Sequence, residues 1–215
     1  MTPEIGQAQA LVVRQTINRL EETYSDFIQG KGFDRIPEFF REHLYSPPNK
    51  NQRDAALENL YEKLKSVTGP EMTQNIHNLI ILIQLTDDLD VATAKILLDG
   101  PMKGKSAEEI AEASITTEEL NHCIGKAGCW EDRHRQVDMI GDTLSFFFTL
   151  SKLPLVKLVM APIRVAASLV GAGELVDTME TGYQISRNIK DMKPFVDAFN
   201  DREKVLLDRL QKEYS

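Results

Sequence analysis

A chain of 215 residues, 42% hydrophobic and 27% charged, carries enough apolar material for one sizeable core, which argues against disorder. Its formal net charge of -8 denies it the basic field on which sequence-independent DNA or RNA binding depends, so nucleic acid is not an expected partner. Two cysteines, Cys123 and Cys129, are too few for a disulfide framework, and the opening Met-Thr-Pro-Glu-Ile-Gly lacks the basic and apolar regions of a signal peptide; both point to the cytoplasm.

Apolar residues at Ile17, Leu20, Tyr24 and Phe27 recur at steps of three and four, which predicts an amphipathic helix ended by Gly30 and Gly32. Asp34 and Pro37 occupy cap and first-turn positions for a short second helix carrying Phe39, Phe40 and Leu44 and stopped by Pro47-Pro48. Leu57, Leu60, Tyr61, Leu64 and Val67 predict a third, closed by Gly69-Pro70. The run from Asn75 to Leu98 contains neither Gly nor Pro. Ile80-Ile81-Leu82-Ile83 at its centre would suit a strand, but a length of over 20 residues favours a central buried helix.

Gly100-Pro101 and Gly104 mark the clearest internal boundary, leaving room for sub-lobes 1–99 and 106–215 joined by a linker at 100–105. Beyond it, Ser106 with Glu109 and Thr116 with Glu119 have capping-box spacing and predict two short helices. Val137, Ile140, Leu144, Phe147 and Leu150 outline a further amphipathic helix. Leu175, Met179 and Tyr183, then Phe195, Phe199, Leu206 and Leu210, outline the last two. No alternating strand pattern, Asn-Gly hairpin or solenoid repeat interrupts the series, so the expected fold is all-α: a single-domain helical bundle of about eight or nine helices.

The heptad Phe39-Phe40-Arg41-Glu42-His43-Leu44-Tyr45, followed by a Ser-Pro-Pro loop and Arg53-Asp54, resembles the signature of the FFLEELY-motif proteins, bacterial helical proteins with no established activity. Five of the seven letters match; Arg41 stands in place of Leu and His43 in place of Glu. Leu85 to Asp90, Arg135-Gln136-Val137-Asp138 and Pro162 to Glu174 also resemble family blocks in order, so the likeness covers roughly residues 35 to 210. It marks Phe39, Phe40, Glu42, Leu44, Tyr45, Arg53, Asp54, Arg135 and Gln136 as motif positions and implies no role for any of them.

The most hydrophobic stretch, Leu144 to Val170, has no acidic residue and only Lys152, Lys157 and Arg164 charged. Pro154 and Pro162 interrupt it, which excludes a membrane span of about 20 apolar residues. At 100° per residue Lys157 and Arg164 fall within about 20° of one another, opposite a wide apolar arc. Such a helix is read first as core, with its basic residues reaching solvent; the other readings are a lipid or partner surface at Phe146, Phe147, Lys152, Lys157, Leu158 and Arg164, and an oligomer interface.

Two Glu-x-x-His pairs, Glu119 with His122 and Glu131 with His134, have the spacing from which helical bundles build di-metal sites. They lie twelve residues apart with Gly125 and Gly128 between them, and the two further glutamates of such a site are not evident. A zinc site from His122, Cys123, Cys129 and His134 has suitable ligand types but not a recognised spacing. Asp87-Asp88-Leu89-Asp90 departs from the aspartate-rich magnesium motif because the fifth position is Val91; Asp87 and Asp90 instead share a face able to receive a basic residue from another helix. The segment from Ser106 to Leu120 superficially reads as helix-turn-helix, yet its second helix opens with Glu118 and Glu119, which would repel phosphates.

Arg133, Arg135 and Gln136 beside the apolar face begun by Val137 suggest a polar interior network, with Asp54, Asp87 or Asp88 as partners. No nucleophile, base and acid set, phosphate loop or dinucleotide fingerprint is present. These features together indicate a non-enzymatic binding or interaction domain with no cofactor, its partner an unknown protein or apolar ligand bound at residues 146–170. Peripheral membrane contact or acyl-chain binding, a homodimer, and a metal-dependent helical oxidase are the alternatives.

Overall fold

The computed structural model describes residues 2–28, 32–44, 59–63, 69–153 and 156–215, the last with side chains from residue 160; every regular element among them is helical. Helix α1 (Pro3–Thr23) begins where the Thr2 hydroxyl accepts the amide of Ile5 and a proline fills the first position, where a missing N–H costs nothing. It buries Ala8, Leu11, Val12, Ile17 and Leu20. A short α2 (Ser25–Ile28) follows Tyr24. Gly32 then takes φ +82°, and a Cβ there would lie 2.6 Å from the Asn188 carbonyl oxygen, so only glycine permits this approach.

Helix α3 (Ile36–Phe39) carries its proline in the first turn as expected, but the capping position is Arg35 and no side chain caps it; Asp34 is exposed and does not serve. The chain continues as a π-helical turn, Phe40–Leu44, rather than as α-helix. Residues 59–63 are helical and bury Leu60, while Tyr61 stacks on His77 at 4.2 Å. Gly30, Tyr45, Pro47, Pro48, Arg53, Asp54, Leu57, Leu64 and Val67 fall outside the described residues.

Helix α4 (Pro70–Asp99) is the long central helix, 30 residues, with Gly69-Pro70 opening it. It packs against α1, α6 (Thr117–Ala127) and α7 (Trp130–Lys152). Both expected capping boxes form. The Ser106 hydroxyl accepts the Glu109 amide at 3.3 Å and Glu109 accepts the Ser106 amide at 2.7 Å, starting α5 (Ala107–Glu112); Thr116 and Glu119 do the same at 3.1 and 2.8 Å for α6. Helices α8 (Val156–Val170), α9 (Gly173–Arg187) and α10 (Lys193–Tyr214) complete the bundle.

Two apolar clusters hold these helices together. The larger is aromatic: Phe39 meets Phe147 edge-on at 5.4 Å, Phe40 stacks on Phe199 at 6.0 Å, and Tyr24, Phe33 and Phe195 close the group. Helix α9 passes this cluster at Gly182, where an added Cβ would sit 2.5 Å from the Phe147 ring. The smaller cluster joins Leu11, Leu97, Ile110, Leu120 and Leu210. Both take residues from before Gly100 and after Lys105, and Met102, within the expected linker, is itself buried. The protein is thus an all-α single domain, and among the described residues no helix is long and apolar enough to cross a membrane.

Candidate contact surface and buried polar cleft

Helix α4 turns Thr86, Asp87, Asp90 and Thr93 inward, a polar stripe at helical spacing on an otherwise apolar helix. Thr93 Oγ1 donates to the Leu89 carbonyl at 2.9 Å and accepts from Arg133 Nη2 at 2.9 Å; Arg133 Nε donates to the Gly128 carbonyl at 2.8 Å. Gln136 Nε2 donates to Thr86 Oγ1 at 2.9 Å, and Gln9 of α1 donates to Asp87. Across the seam, Arg19 of α1 and Glu203 of α10 form a two-point buried ion pair at 3.0 and 2.7 Å, and the Tyr24 hydroxyl donates to the same carboxylate at 2.9 Å. Charge-assisted, bidentate geometry of this kind is what offsets the cost of taking two ions out of water.

Between these groups lies a cleft of about 50 Å³, lined by Arg19, Asp90, Thr93, Arg133, Gln136 and Glu203 with apolar side chains between them. Burial pushes the Asp90 carboxyl up to about 8; Arg133 pulls it down and Asp87 adds to the rise. Burial and Glu203 together hold the Tyr24 hydroxyl in its protonated, donating form. Enzyme and drug-sized ligand sites run to about 300 Å³ or more, so this cleft does not take an ordinary substrate.

The 144–170 segment divides between interior and surface. Phe147, expected on a contact surface, is 1% exposed and belongs to the aromatic core, because α7 turns it toward α3 and α9. Phe146 is half-buried against that core. Lys152 donates to the Ile189 carbonyl at 2.9 Å and rides over the Phe148 ring at 4.6 Å. The side chains of Lys157 and Leu158 lie outside the described residues. Arg164 pairs with Glu180 of α9. Helix α8 buries Met160, Ile163, Ala166 and Ala167, yet it also turns Val165 and Leu169, one turn apart, to solvent at 60% and 68% exposure.

The Glu-x-x-His residues stand on two helices but do not converge. Glu119 is committed to its capping box, Glu131 is exposed, His122 Nδ1 lies 2.8 Å from the Tyr214 hydroxyl, and His134 Nε2 lies 3.4 Å from Asp208. No group of three metal-ligating side chains forms among the described residues. Cys123 is buried, which raises its thiol to about 11, and Cys129 is exposed. The would-be helix-turn-helix packs on α1: Arg14 donates to the Ala113 carbonyl at 2.5 Å and Gln15 to Thr117 Oγ1 at 3.2 Å.

The motif positions also separate. Phe39 and Phe40 are core, Glu42 and Arg135 are exposed, Leu44 lies in the π-helical turn, and Gln136 joins the polar seam. Of the acidic partners expected for that seam, Asp87 is buried within it and Asp88 faces outward. Arg19 and Glu203 were not anticipated. Their signal is present in the chain: Glu203 falls four residues from both Phe199 and Leu207 on the buried stripe of α10, and a charge at such a position needs an opposite charge facing it.

No curated protein and no solved structure matches this sequence. A family described as a domain of unknown function (DUF8198) matches residues 2–215, so the chain as a whole belongs to that family.

Proposed function

We propose that this chain is a non-enzymatic cytoplasmic interaction domain whose contact face is the outer side of α8, and that its partner is a protein offering an apolar groove. The observation that carries this reading is the exposed pair Val165 and Leu169 on a helix whose opposite side already lies in the core. Paired apolar side chains one turn apart are the anchors by which a helix seats in a groove. The absence of any acidic residue from 144–170 also suits a partner whose groove has an acidic rim. A net charge of -8, and an outer face of α8 on which Val165 and Leu169 are the two bulky apolar side chains exposed among the described residues, weigh against binding to anionic lipid. The likeness of the Phe39 to Tyr45 heptad to the FFLEELY-motif proteins fits the same reading, since Phe39 and Phe40 are spent on packing rather than on chemistry.

A photo-crosslinking residue at position 165 or 169, compared with one at the exposed polar position Lys212, tests the proposal in the cell of origin. The expected result is a single protein adduct at 165 and 169, absent at 212 and lost with Leu169→Glu placed beside the probe at 165. An adduct of twice the chain mass would make the partner a second copy. The same adduct pattern at all three positions would refute the assigned face.

A further inference from the structure

We draw no further inference here: the strongest candidate, the small polar cleft between α1, α4, α7 and α10 lined by Arg19, Asp90, Arg133 and Glu203, carries nothing because the charge of any ligand it would accept turns on the protonation of Asp90 alone.

Discussion

Replacing Asp90 by Asn tests the electrostatics of the interior directly. In the unfolded chain the Asp90 carboxyl titrates near 3.8, whereas in the fold it keeps its proton to about 8. Between those values folding takes up a proton, so this group's contribution is fully present below about pH 4 and is lost as pH rises toward 8. Each unit of displacement corresponds to about 1.36 kcal/mol, so the step from pH 5 to 7 removes on the order of 2–3 kcal/mol. Asn keeps the shape of the protonated acid and does not titrate. Urea unfolding of both proteins at several pH values isolates the effect, because every other ionisable group is common to the two. The stability difference, variant minus parent, is expected to grow in the variant's favour by about 2–3 kcal/mol between pH 5 and 7. A difference that stays flat or shrinks would mean that Asp90 is ionised in the fold and held as a charge pair by Arg133, and the reasoning from burial would fail.

Two further outcomes follow from the packing. Glu203→Gln leaves Arg19 charged and uncompensated in the interior, and denaturant unfolding is expected to register a loss of about 3–5 kcal/mol, much of it recovered when Arg19→Met is added. Gly182→Ala would raise stability by up to about 1 kcal/mol if helix propensity decided the matter. Because the new Cβ would lie 2.5 Å from the fixed Phe147 ring, thermal unfolding is instead expected to show a loss of about 1–3 kcal/mol.

What the sequence determined by itself is local and short-range. Capping boxes at Ser106 and Thr116 were legible because the hydroxyl and carboxylate that satisfy the free amides lie three residues apart, within one turn. The long α4 and the apolar stripes of α7 and α10 were legible because a 3.6-residue period records which side each helix buries. Where local preference was degenerate the reading slipped, as at Asp34 and at the π-helical turn after Phe39. The tertiary structure alone decided which buried side meets which. Arg19 and Glu203 are separated by 184 positions, and no periodicity within α1 or α10 pairs them. Phe147 and Leu169 are both apolar residues of one hydrophobic stretch, yet one is core and the other solvent-facing. That division follows from which neighbours the bundle places beside each helix: α9 covers Phe147 at Gly182, while among the described residues the outer face of α8 keeps Leu169 in solvent.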